Sequence, residues 1–208
     1  MNEEREKEAR PVLRLASASP RRRQLLDLIG VPHVVTPADI DETPRPGEAA
    51  GDYVVRLARE KADAVWARHQ DLPVLAADTT VYVDGNILEK PRDEGDCIRM
   101  LGLLSGRTHD VYTGLCVIGD ATPAVSCVQT AVEFRRISEE EMRAYWASGE
   151  PRGKAGAYAI QGLGAVFVEK ITGSYTNVMG LPLFETAQAL RSHGIAVWNG
   201  LLGSEKAQ

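Results

Sequence analysis

The spacing of apolar residues changes period repeatedly along the chain, and each change marks an element. Val12 to Ala16 is an apolar run broken only by Arg14, the pattern of a short strand. Leu25, Leu26 and Ile29 then share one helical face, with Ser19 as N-cap, Pro20 as first helical residue and Gly30 as terminator. Val31 to Val35 predicts a second strand, and the Pro-rich, acidic stretch from Pro37 to Gly47 a loop. Tyr53, Val54, Leu57, Ala58, Ala62, Val65 and Trp66 predict a long amphipathic helix over Ala49 to His69, with Lys61 flanking the apolar stripe. Pro73 to Val83 is rich in strand formers, and Asp84-Gly85 is a tight-turn dipeptide leading into Asn86 to Glu89.

Downstream, Ile98, Leu101 and Leu104 predict a helix over Asp93 to Leu104, followed by strands over His109 to Ile118 and Val125 to Ile137. Ser138 to Glu141 is a capping box that opens a helix to Ala147. After a Gly-rich loop, Ala157 to Ile160 and Ala165 to Ile171 predict strands, Pro182 to Ser192 a helix, and Ile195 to Trp198 a last strand. Strands and helices mix without internal repeats or a linker, which predicts an α/β or α+β chain with a central mixed sheet.

Composition adds bounds. The 208 residues, 44% hydrophobic and 25% charged, suit one sizeable core, so residues 11–208 read as a single domain and 1–10 as a disordered extension with no catalytic role. No excess of Gly, Pro or Cys supports a collagen-like, disordered or disulfide-scaffold chain. The charged amino-terminal stretch has no apolar core, so it reads as no signal peptide, and no run approaches the ~18 apolar residues of a membrane helix. Cys97, Cys116 and Cys127 are an odd number without C-x-x-C spacing, which fits a reducing cytoplasm. A net charge of -5 argues against coating nucleic acid but leaves room for a local basic site.

Three places carry candidate chemistry. Arg21, Arg22 and Arg23 occupy the first turn of a helix, where cations oppose the macrodipole. They read either as a solvated patch or as part of an anion site with the hydroxyls of Ser17 and Ser19, one arginine facing inward. Lys90 stands before Pro91 after an apolar run, either as a phosphate contact or as a solvated strand-end lysine. Asp78 interrupts a strand that otherwise reads as buried, a costly position unless it is paired or holds a metal. Asp41 and Glu42 read either as a second carboxylate from the acidic loop or as solvated loop acids. The scattered histidines give no triad, and neither a dinucleotide fingerprint nor a P-loop is present.

Five separated stretches carry a resemblance: LASASPRRRQLL, YVVRLAREKA, AADTTVYVDGNILEKP, MLGLLSGRTHDVYTG and GKAGAYAIQGLGAVFVEKITGSYTNVMGLPL. Together they resemble the Maf family of nucleoside triphosphate pyrophosphatases over nearly the whole chain after residue 11. Asp78-Thr79 and Ala159-Ile160-Gln161-Gly162 are similar to the branch acting on dTTP and UTP. The resemblance implies a fold similar to inosine triphosphate pyrophosphatases, with a long mixed sheet flanked by helices and two lobes around a cleft.

It further implies that Ser17 and Arg22 bind phosphate, that Lys61 and Lys90 reach the triphosphate, and that Asp78 is the proton acceptor. Glu42 would help hold the water or, together with Asp78, a divalent cation, Mg²⁺ or Mn²⁺, while Arg22, Thr79 and Gln161 match positions tied to base choice. Gln161 has both a donor and an acceptor for the O4/N3-H edge shared by thymine and uracil. A triphosphate carries roughly four negative charges, each close pair worth about 4 kcal/mol at ~4 Å and an effective dielectric of about 20, more than one arginine offsets. The expected product pair is nucleoside monophosphate and pyrophosphate, in a house-cleaning role with a link to cell division. A nucleotide-binding regulator of septation and a purine-specific enzyme of the same fold are the alternatives. A homodimer would be unsurprising; no stable nucleic-acid partner and no membrane are expected.

Overall fold

A computed structural model describes residues 10–198. The chain runs through β1 (Leu13–Leu15), α1 (Pro20–Leu28), β2 (His33–Val35), α2 (Ala50–Trp66), β3 (Val74–Val83), β4 (Asn86–Leu88) and α3 (Glu94–Leu104). It continues through β5 (Thr108–Ile118), β6 (Ala124–Phe134), α4 (Glu139–Ala147), β7 (Val168–Thr172), α5 (Tyr175–Met179) and α6 (Leu183–Ser192). One mixed sheet holds all seven strands in the order β2-β1-β3-β5-β6-β7, with β4 paired to the far end of β3. β1 is parallel to both neighbours and the remaining pairs are antiparallel. This is the expected mixed α/β architecture. The expected extension, apart from Arg10, lies outside the described residues.

Local chemistry explains most boundaries. Ser138 and Glu141 form the capping box that starts α4. Asp84 and Gly85 have φ of 47° and 82°, so both centre residues of the β3-β4 turn are left-handed, as a tight two-residue hairpin requires. Three expectations change, and one helix was not expected. Ala157 to Ile160 is not a strand, because Gly156 and Ala157 have φ of 66° and 60°, outside extended space. Leu163–Phe167 is a short 3₁₀ segment, so the strand expected from Ala165 begins only at Val168. Ile195 to Trp198 joins no strand; Trp198 N–H instead donates to Ile29 O at 2.7 Å. α5 has no apolar periodicity to announce it and is set by Ser174, whose hydroxyl accepts from the Asn177 amide.

The sheet also leaves a gap that positions a cleft. β1 pairs with β3 only at Val74 and Leu75, and β4 takes up the same edge only at Val81. Among the described residues no strand covers residues 76–80 on that edge, and the chain leaves β1 there toward α1. A crevice beyond the carboxyl end of a parallel strand is the usual ligand site of such sheets.

The faces of β3 carry the same division. Leu75 and Ala77 enter an apolar cluster with α1 and α6, whereas Val81 and Val83 enter another with α3 and α4. Thr79 falls between them, which gives two lobes about one cleft. On the opposite face, Val74 and Ala76 pack against Ala58, Ala62 and Val65 of α2, and Asp78 follows.

α2 lies so close to the sheet that Gly114, directly opposite Asp78 in the β3-β5 register, touches its backbone. A Cβ on Gly114 would fall 2.7 Å from Val55 N and nearer still to the Val54 carbonyl. Gly114→Ala should therefore cost about 1–3 kcal/mol in urea unfolding, as overpacking against backbone does. Gly51→Ala on α2, whose Cβ would meet Cys127 Sγ at an ordinary 3.5 Å, should be neutral or stabilising in the same experiment.

Candidate active site

The cleft has a volume of about 600 Å³ and is walled by the turn after β1, the middle of β3 and the segment 153–161. Its floor is polar because β3 places Asp78, Thr79 and Thr80 in succession at the uncovered edge. Alternation sends Asp78 and Thr80 toward α2 and Thr79 toward α1.

Asp78 is 8% exposed and Lys61 6% exposed, so both charges are buried. Lys61 Nζ donates to Asp78 Oδ1 at 2.6 Å and also lies 2.6 Å from Glu42 Oε1. The pair is the physical answer to a carboxylate inside a strand: the fourth turn of α2 brings an ammonium down onto it. Glu42 reaches in from the acidic loop, and Lys90 approaches its other oxygen at 3.8 Å while keeping 66% of its side chain in solvent. Burial alone would raise the Glu42 carboxyl, but the hydrogen bond and charge of Lys61, then Lys90 and Arg22, bring it below the ordinary carboxylate range. Among the described residues, no third His, Cys, Asp or Glu joins them as a metal cluster.

On the α1 side, Arg22 makes three hydrogen bonds. Its Nε donates to Gly180 O at 2.8 Å, its two terminal nitrogens to Ser17 Oγ at 3.0 Å and Thr79 Oγ1 at 3.1 Å. Thr79 Oγ1 lies 2.9 Å from Thr113 Oγ1, which in turn meets Asn177 O at 3.1 Å. The hydroxyls of β3 and β5 thus pass the orientation of Arg22 on to α5. Burial depresses the Arg22 pKa, and neighbouring Asp78 works against that depression.

All eight expected residues, Ser17, Arg22, Glu42, Lys61, Asp78, Thr79, Lys90 and Gln161, therefore line one cleft. Two details differ from expectation. Ser19 precedes α1 but its side chain caps nothing; the hydroxyl of Ser17 instead accepts from the Ser19 amide at 3.2 Å. Two of the three arginines face the cleft, not one, with Arg21 Nε donating to Met179 O at 3.3 Å. The reason is that α5 supplies two successive carbonyls, Met179 and Gly180, which draw adjacent arginines to one side.

Sequence reasoning missed three lining residues. Lys154 enters on the Gly-rich loop, where burial and Arg21 both lower its pKa. The Tyr53 hydroxyl donates to Glu42 O at 2.9 Å, fastening the acidic loop to α2, and lies 3.4 Å from Glu89 Oε1. Thr80 Oγ1 is buried against the cleft without a partner. Only Lys154 carried a signal, as one of few lysines and one adjacent to glycine.

A model of the Maf-like protein family matches residues 12–193. The chain belongs to the Maf-like protein family. It is 58% identical over 187 residues to a dTTP/UTP pyrophosphatase of Sphingopyxis alaskensis, covering 89% of this chain and 98% of that protein. It is 56% identical over 198 residues to a dTTP/UTP pyrophosphatase of Bordetella parapertussis, covering 90% of this chain and 95% of that protein. Among solved structures, the Ham1 protein of Staphylococcus aureus aligns at 16% identity and a TM-score of 0.41 over 59% of this chain and 71% of that one, too distant to carry an argument.

For this Maf-like chain, the Lys61–Asp78 pair makes a stability prediction. Lys61→Met strands a buried carboxylate and should cost about 3 kcal/mol in urea unfolding, as breaking one side of a buried pair does. Adding Asp78→Leu to that variant should recover most of the loss. A Lys61→Met protein as stable as the parent would show that Asp78 draws its compensation from elsewhere.

Proposed function

We propose that the chain hydrolyses dTTP and UTP to nucleoside monophosphate and pyrophosphate. The observation that carries the reading is the buried Asp78 carboxylate, fixed by Lys61 at the floor of a cleft lined by Arg21, Arg22, Lys90 and Lys154. An acid surrounded by cations is suited to activating water beside a polyanion. The names of the close relatives support the same substrates.

Lys61 holds Asp78 Oδ1, and Oδ2, which no described side chain engages, takes a proton from a water. That water's oxygen attacks the α-phosphorus, the bond from the α-phosphorus to the bridging oxygen breaks, and pyrophosphate leaves with that oxygen. Ser17, Arg22 and Lys90 bind the phosphates, and their charges stabilise the leaving group. Gln161 and the Thr79–Arg22 pair meet the base, with the amide of Gln161 reading O4 and N3-H.

The donor set fits a divalent cation. Two carboxylates converge on one ammonium at 2.6 Å, both are hard oxygen donors, and Mg²⁺ sites typically combine one or two carboxylates with substrate phosphates. Asp78 and Glu42 would hold Mg²⁺ or Mn²⁺, which when bound neutralises charge on the phosphates.

Pure protein given dTTP, UTP, dCTP, dGTP and ITP with Mg²⁺ or Mn²⁺ should release monophosphate and pyrophosphate in equal amounts, fastest from dTTP and UTP. No release from any nucleotide would overturn hydrolysis in favour of a binding module, and faster purine turnover would overturn the base assignment. Asp78→Asn should lower kcat by at least about 10²-fold, the contribution of a general base. Gln161→Ala should cut the preference for dTTP over dCTP by about tenfold, the worth of one to two hydrogen bonds.

A further inference from the structure

The residue that reads the base sits on a segment with no regular structure. Gln161 lies between two 3₁₀ segments, Ala155–Ala157 and Leu163–Phe167, and its side chain is exposed at the cleft wall. A glutamine with three free torsions discriminates bases only if its backbone is held, and the hold comes from outside the cleft.

Tyr145, on the last turns of α4, is buried with its ring edge-on to Phe167, the centroids 5.1 Å apart. Its hydroxyl donates to Glu150 Oε1 at 2.7 Å and accepts from the Ala159 amide at 3.1 Å. Glu150 Oε2 accepts from the Leu163 amide at 2.9 Å, and Oε1 from the Gly164 amide at 3.0 Å. One carboxylate thus occupies a nest of backbone N–H groups, and with Tyr145 it grips the chain on both sides of Gln161.

Two glycines make room for this grip. A Cβ on Gly162 would come within 2.7 Å of Glu150 Oε1, and one on Gly164 within 2.7 Å of the Tyr145 hydroxyl and 2.9 Å of Ala159 O. Gly162-Leu163-Gly164, which fails as a dinucleotide motif, is therefore a seat for a carboxylate. Burial would raise the Glu150 carboxyl, yet the hydrogen bonds from Tyr145, Gly164 and Leu163 bring it below its ordinary value, so it is ionised while it holds the loop.

We infer that Glu150, acting with Tyr145, is a positioning residue for base selection: it sets the backbone of segment 159–164 so that Gln161 meets the pyrimidine edge. This rests on the proposed base-reading role of Gln161. Neither residue lines the cleft, so their effect falls on recognition of the base and not on the phosphate chemistry at Asp78 and Lys61.

The test measures kcat and KM of the full chain for dTTP, UTP and dCTP with Mg²⁺. Glu150→Gln keeps the volume and removes the charge; it should raise KM for dTTP and lower the preference over dCTP by about tenfold, with kcat changed less than about threefold. Made in a Gln161→Ala background, Glu150→Gln should change the preference no further, because it acts through that residue. A folded Glu150→Gln protein with parental preference overturns the inference, as does a preference loss that simply multiplies in the double variant. If Gln161→Ala alone leaves the preference unchanged, base reading by Gln161 fails, which is a different result. Should Glu150→Gln not fold, Tyr145→Phe keeps the packed ring and deletes only the bridging hydroxyl. It is expected to lower the preference in the same direction, and an unchanged preference there also overturns the inference.

Discussion

Everything at the centre of this molecule depends on one strand having to carry a charge through the interior. β3 serves apolar clusters on both faces, and on the face toward α2 it places a carboxylate that is nearly withdrawn from solvent. A buried carboxylate persists only if a counter-charge arrives with good geometry, and Lys61 provides it at 2.6 Å. For Lys61 to reach Asp78, α2 must lie against the sheet at nearly backbone contact, which the missing side chain of Gly114 permits. The acidic loop then follows, since Glu42 shares the same ammonium and Tyr53 of α2 binds that loop's carbonyl. Strand, helix, glycine and loop thus answer to a single electrostatic requirement.

Much of the architecture was legible because it rests on local rules. The amphipathic stripe of α2, the capping box of α4 and the Asp84-Gly85 turn each announce themselves in a few residues. So did the anomaly of Asp78, because polarity inside an apolar strand violates burial rules whatever the surrounding fold. The failures share a different origin. Ala157 to Ile160 has strand-like composition, but its course is decided by left-handed backbone at residues 156 and 157 and by a tyrosine hydroxyl fourteen residues upstream. α5 is specified by Ser174 and by the hydroxyls and carbonyls it meets on β5 and β6, none adjacent in sequence.

The site shows the same split. That Asp78, Lys90 and the arginine turn are candidates for chemistry could be argued from residue type and position. Which arginines point inward could not, because the answer lies in the carbonyls of Met179 and Gly180 at the other end of the chain. Two of the cysteines, Cys97 and Cys116, lie in the core, where burial pushes both thiols up to about 11, whereas Cys127 is exposed.

Those long-range contacts have a consequence for synthesis. Arg22 is anchored in part by a carbonyl 158 residues downstream, so its hold at the cleft wall is incomplete until the chain has been made through Gly180. A ribosome-bound fragment ending before α5 would already contain Asp78, Lys61 and the whole of β3, yet its guanidinium would lack Gly180 as partner. Contacts of such separation form late, after loop closure between distant segments has been achieved. The contact between Arg22 and Gly180 therefore closes only after nearly the full described length has been translated.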